Sequence, residues 1–186
     1  MSKTPVYISS VLLEKNRWST RVPSLKVSEW SRRLFDAGFD GVELWENHLL
    51  LAAAPEREAV LAGPIPVTVL NTYCAFDDPG EEGRMASAEL ARFLSASAVK
   101  FNLGDDPALA QVYIDNLAAW RELLPANCRL LCECHPGTIL EEPERAAEIL
   151  ASLHDIEIIV HAFSGDDDTV LRRWLEAFGA AVTHIH

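Results

Sequence analysis

The sequence predicts an α/β protein: a single-domain parallel (β/α) barrel of the TIM type over 1–186, incomplete, with about seven strands and six helices. Three observations carry that expectation. Strand-like and helix-like segments alternate from one end of the chain to the other, the pattern of a parallel sheet with helical crossovers. After the first strand stands Ser9-Ser10-Val11-Leu12, where a doubly wound nucleotide-binding sheet carries a glycine-rich loop. The strands also end in polar clusters: Glu46-Asn47-His48, Asn71-Thr72-Tyr73, Asn102-Leu103-Gly104-Asp105, Glu133-Cys134-His135, and His161 with Ser164-Gly165-Asp166. Parallel α/β proteins place their chemistry at those carboxyl ends.

The elements follow in order. Val6-Tyr7-Ile8 is strand one. Lys26 to Ala37 is helical, with Val27, Trp30, Leu34 and Ala37 on one face, and Gly38 stops it. Gly41 to Trp45 is strand two, followed by a helix from Pro55 to Leu61. Val67 to Leu70 is strand three, closed by the Asp77-Asp78-Pro79-Gly80 turn. A helix from Glu82 to Ala96 buries Leu90, Phe93 and Leu94, and Val99-Lys100-Phe101 is strand four. Pro107 opens a long helix reaching Leu124. Arg129 to Glu133 is strand five. Pro143 starts a helix with the stripe Ala146, Ile149, Leu150 and Leu153. Ile156 to Val160 is strand six, the next helix carries Leu171, Trp174 and Phe178, and Ala181 to Ile185 is strand seven. A complete eightfold barrel takes about 250 residues. This sequence reaches Thr183-His184-Ile185-His186, so the expectation is a barrel without its eighth βα unit, whose open edge a second copy or a partner chain covers.

Bulk composition narrows the function. The formal charge is −12 and there are four lysines, which argues against nucleic acid as the ligand. No stretch approaches the roughly 20 apolar residues that span a bilayer, and Met1-Ser2-Lys3-Thr4-Pro5 runs into a strand without a signal-peptide core. The expectation is a cytoplasmic protein acting on a small molecule. Of Cys74, Cys128, Cys132 and Cys134, three lie within one strand-like segment, a poor disulfide framework and a fair set of core fillers.

Strand periodicity sorts the candidates. Residues two apart share a face, so Glu133 and His135 point together while Cys132 and Cys134 point the other way, and His184 pairs with His186. Glu43 and Glu46 differ in parity. Glu46, nearer the mouth, is the substrate-contact candidate, and Glu43 the internally bonded strand residue. Asn71, Asn102 and His48 sit at strand ends. His161 closes an apolar strand, where an imidazole needs a partner. The long Val11 to Pro23 connection reads as a binding loop or lid, with Trp18 available to wall a sugar ring. Asp166 to Asp168 read as a helix start.

Phe39-Asp40-Gly41-Val42-Glu43-Leu44-Trp45-Glu46, with Leu131-Cys132-Glu133-Cys134-His135 and His184-Ile185-His186, resembles the xylose isomerase-like superfamily of sugar phosphate isomerases and epimerases. The resemblance implies a divalent metal at the barrel mouth. Family sites combine glutamate from strand five, aspartate from strand six, histidine from strand seven and glutamate from strand eight. Glu133 matches the first and His186 the third. His161 stands at the aspartate position, and the fourth has no counterpart. The implied ligands are Glu133, His161 and His186, a nitrogen-rich set that suits zinc or manganese first, with iron or magnesium as alternatives.

The implied reaction is isomerisation or epimerisation of a small sugar, sugar phosphate or polyol, by proton transfer next to a metal-polarised carbonyl, with Glu133 as catalytic base. The implied substrate contacts are Glu46, His48, Asn71, Asn102, His135, His184 and Trp18. Two other readings compete. The short ligand set suits a non-catalytic barrel that binds a ligand or partner. Val160-His161-Ala162-Phe163-Ser164-Gly165 looks like a strand of TatD-like metal hydrolases, although strand one, Val6-Tyr7-Ile8-Ser9, lacks their histidine pair.

Overall fold

Seven parallel strands pair strictly in chain order in a computed structural model that describes residues 4–15, 20–153, 155–160 and 168–185. They are β1 (Tyr7–Ser9), β2 (Gly41–Trp45), β3 (Val67–Asn71), β4 (Ala98–Phe101), β5 (Arg129–Cys134), β6 (Ile156–Val160) and β7 (Val182–Ile185). Each neighbour pair is parallel, so every connection returns the chain over the outside of the sheet. Among the described residues β1 and β7 each have one partner strand. The sheet is therefore an incomplete TIM-type barrel, as the alternation predicts.

The helices are α1 (Ser28–Asp36), α2 (Asn47–Leu50), α3 (Ala54–Leu61), α4 (Glu81–Leu94), α5 (Ala110–Arg121), α6 (Pro143–Leu150) and α7 (Thr169–Phe178). The single turn of α2 is additional to the six expected; its four residues are too few for a periodic signal. Gly38, at φ +87°, terminates α1 in the left-handed region that a Cβ disfavours. The helix expected from Pro107 starts as a 3-10 turn over Pro107–Leu109, held where Asp106 accepts from the Ala108 N–H at 2.9 Å, and α5 stops at Arg121. None of the described helices is long and apolar enough to cross a membrane.

Two apolar layers result from the strand period. The larger lies between sheet and helices, where Leu44, Leu70, Val99, Cys132, Cys134 and Ile158 meet Leu49, Ala91, Leu117 and Trp120. Both cysteines of the Cys132–Cys134 pair face this layer, so they are core fillers, opposite in direction to Glu133. The smaller layer is the barrel floor: Val69, Ala98, Leu131 and Ile159, with Tyr7 against them. One step of two residues along the strands turns this floor polar. Tyr7 gives way to Ser9, Val69 to Asn71, Ala98 to Lys100 and Leu131 to Glu133.

Candidate functional site

That polar step is buried. Lys100 reaches the Glu133 carboxylate with Nζ 2.9 Å from Oε1 and stands 3.5 Å from Glu43 Oε1. Asn102 donates its amide N–H to Glu133 Oε2 at 3.0 Å. Across the sheet, Asn71 donates to Glu43 Oε1 at 3.2 Å and the Ser9 hydroxyl donates to the same oxygen at 3.0 Å. Burial opposes the Lys100 ammonium, yet Glu43 and Glu133 outweigh it and hold its pKa above the ordinary lysine value. Two carboxylates sharing one ammonium leave the cluster with a formal charge of −1.

The cluster floors a cavity of about 990 Å³ whose walls include Arg21, Tyr73, His135, Thr138 and His184. Two acceptors stand out: Asn71 Oδ1 and Asn102 Oδ1 are buried and accept no hydrogen bond within the described protein. Both amides are fixed in direction, because their nitrogens are committed to Glu43 and Glu133. At the rim, Arg21 adopts a positive φ of 55°, its carbonyl accepts from the Asn47 side chain at 2.8 Å, and its guanidinium lies over the Tyr73 ring at 4.9 Å. The β1–α1 connection is anchored where the Glu14 carboxylate accepts from the Ser24 N–H and hydroxyl at 2.9 and 2.5 Å.

The structure thus gathers Glu133, Asn71, Asn102, His135 and His184 around one cavity. Glu46 and His48 are placed elsewhere. The chain turns into α2 directly after Glu46, and its carboxylate accepts from the Tyr73 N–H at 2.5 Å beneath the rim; burial lifts its pKa to about 7. His48 is enclosed by Trp45 and Glu14, 3.6 Å from the latter, and burial holds its pKa below the ordinary histidine value despite that carboxylate. It borders a separate hollow of about 600 Å³ between α1 and α3. Glu43, ranked below Glu46 from sequence, is the one facing the cavity. Lys100 went unread, although two-residue parity with Asn102 places both on one face. Trp18, His161, His186 and most of the hydrolase-like segment lie outside the described residues. Among the described residues no three of His, Cys, Asp or Glu stand close enough to hold one ion.

The chain aligns along most of its length with solved barrels. A probable 3-DHS dehydratase of Bacillus anthracis superposes with a TM-score of 0.67 at 17% identity, over 85% of this chain and 63% of that one. The 3-keto-D-glucoside 4-epimerase of E. coli gives 0.69 at 14%, over 99% and 78%. A xylose isomerase-like TIM barrel protein of Mycobacterium smegmatis, in complex with magnesium, gives 0.66 at 14%, over 90% and 65%. What the chain shares with these proteins is the fold, a (β/α) barrel of the TIM type. The chain spans less than two thirds of the dehydratase and of the mycobacterial protein. No family model and no curated protein sequence matches it.

Proposed function

We propose that this barrel is an isomerase or epimerase of a small sugar, sugar phosphate or polyol, working by proton transfer next to a carbonyl. The observation that carries the reading is the pair of orphaned amide oxygens, Asn71 Oδ1 and Asn102 Oδ1, beside two buried carboxylates. A buried acceptor without a donor costs about 1–3 kcal/mol. A polyhydroxylated ligand supplies the missing donors, two hydroxyls at a spacing the fixed amides select. Glu133 is the base: its carboxylate takes the proton from the carbon beside the carbonyl. Return of that proton to the neighbouring carbon, as the hydroxyl proton passes to the former carbonyl oxygen, gives the isomer, and delivery to the same carbon from the opposite face gives the epimer. Glu43, projecting from β2, is the second carboxylate that epimerisation requires. His135 and His184 line the entrance, where they meet the outer hydroxyls or a phosphate.

Of Glu133, His161 and His186, the residues expected to hold a divalent ion, only Glu133 lies among the described residues. It has Lys100 on one oxygen and Asn102 on the other. The four free thiols suit a reducing compartment, and the cytoplasm is the location this reading adopts. The single-partner strands β1 and β7 support a second copy or partner chain along those edges.

One feature favours a binding module without chemistry: Lys100 and Asn102 already occupy the Glu133 carboxylate. A panel of aldoses, ketoses and their phosphates separates the two readings. The enzyme converts at least one of them, and Glu133→Gln lowers kcat by about 100-fold or more with the fold retained. Binding without turnover by the wild type establishes the module instead.

A further inference from the structure

The cation at the floor of this cavity is part of the chain. Lys100, Glu43 and Glu133 have side chains 5%, 9% and 5% exposed, and the ammonium lies between the two carboxylates at 3.5 and 2.9 Å. An ion ligated by Glu133 would stand beside that ammonium and meet its charge at short range in a low-dielectric setting. The oxygens such an ion needs are also engaged: Glu133 Oε1 by Lys100, Glu133 Oε2 by Asn102, and Glu43 Oε1 by Ser9 and Asn71.

We propose that the ammonium of Lys100 takes the place of a divalent cation, so that the cavity binds no metal through Glu133 and offers the substrate's carbonyl oxygen a lysine N–H. The inference rests on the proton-transfer reading for its chemistry, and on geometry alone for its claim about metal. An ammonium has three N–H groups. One goes to Glu133 and one faces Glu43, which leaves donor capacity toward the cavity that Lys100 lines. The step balances without a co-reactant. As Glu133 takes the proton, the C–H pair becomes the new C=C bond and the carbonyl π pair moves onto oxygen. That oxygen accepts from Lys100, which keeps its proton. Such a donor, fixed before the charge develops, is the arrangement that stabilises an enolate. One ammonium then holds the base and the oxygen side by side.

Manganese chloride titration of the EDTA-dialysed full chain, by calorimetry and by thermal melting, tests this without reference to turnover. The wild type should show no binding through Glu133 and no shift in Tm. Lys100→Ala should bind manganese at least about tenfold more tightly than wild type, because removal of the ammonium uncovers two carboxylates. The added affinity should vanish in the Lys100→Ala/Glu133→Gln double variant. If Lys100→Ala folds only when manganese is present, that rescue is the same gain. If it folds under neither condition, wild type against Glu133→Gln decides: equal manganese binding upholds the proposal, and binding lost with Glu133 overturns it. Wild-type binding that depends on Glu133 overturns it in any case, as does a folded Lys100→Ala that gains nothing. A titration as expected with no turnover on the sugar panel sinks the isomerase reading and leaves the lysine assignment standing.

Discussion

Replacing Lys100 by methionine isolates what the buried ammonium contributes, since methionine keeps most of the stem and removes the charge. At an effective dielectric of about 20, unit charges 2.9 and 3.5 Å apart attract by roughly 5–6 kcal/mol each. Desolvation of the three groups offsets most of that sum, so the triad's net worth is small. Breaking it is another matter, because Glu43 and Glu133 are left charged, buried and without their cation. Loss of one partner from a buried pair costs about 3–5 kcal/mol, and we expect Lys100→Met to fall in that range. Urea denaturation at pH 7.5 (a condition chosen at roughly neutral pH, where carboxylates are ionised) measures it through the midpoint at an unchanged slope. The deficit should shrink as the pH falls into the carboxylate range. There the unpaired acids of the variant take up protons in the folded state before they do so in the unfolded chain. A loss below about 1 kcal/mol, or one independent of pH, would refute the charge triad as the core of the site.

Glu46, with its pKa lifted by burial to about 7, destabilises the fold as pH rises: the unfolded carboxyl ionises near its ordinary 4.5 while the folded one keeps its proton. Glu46→Gln should therefore flatten the stability curve between those values and gain up to about 3 kcal/mol at pH 8, read from urea midpoints; parallel curves would contradict it. Asn102→Leu removes an acceptor for substrate and a donor to Glu133, so it should raise KM by about tenfold or more on any substrate found, while Glu122→Gln on the exposed surface should not. Gly80→Ala sets a Cβ 2.2 Å from the Ala75 carbonyl oxygen and should cost roughly 1–3 kcal/mol in a thermal melt. The edges of β1 and β7, unpaired among the described residues, predict a mass above 20.6 kDa by light scattering at micromolar concentration; a monomer with a cooperative melt would count against a covered edge.

The architecture was legible because alternation and strand parity are local signals. Parity placed Glu133 and His135 on the cavity side and turned Cys132 and Cys134 outward to the helices, as the two apolar layers show. The same rule carried from Asn102 to Lys100 would have found the lysine, whose two apolar neighbours Val99 and Phe101 disguise it as ordinary strand. Glu43 and Glu46 needed more than parity. Distance from the strand end favoured Glu46, but the chain bends into α2 there and carries its carboxylate under the rim toward the Tyr73 N–H. His48 went the same way, enclosed by Trp45 and by Glu14, a partner 34 residues earlier in sequence that no local pattern announces. Helix starts were similarly approximate: Pro143 fits the first turn of α6, whereas Pro107 begins a 3-10 turn.

Proton transfer by Glu133 is the central claim, and solvent isotope exchange tests it most directly. Candidate sugars incubated with the protein in heavy water and followed by proton NMR should lose the signal of the hydrogen on the carbon beside the carbonyl. Glu133→Gln should slow that exchange by about 100-fold or more while leaving the fold intact. Conversion that proceeds through many turnovers with no deuterium at that carbon, or exchange that is unchanged in Glu133→Gln, would contradict the account.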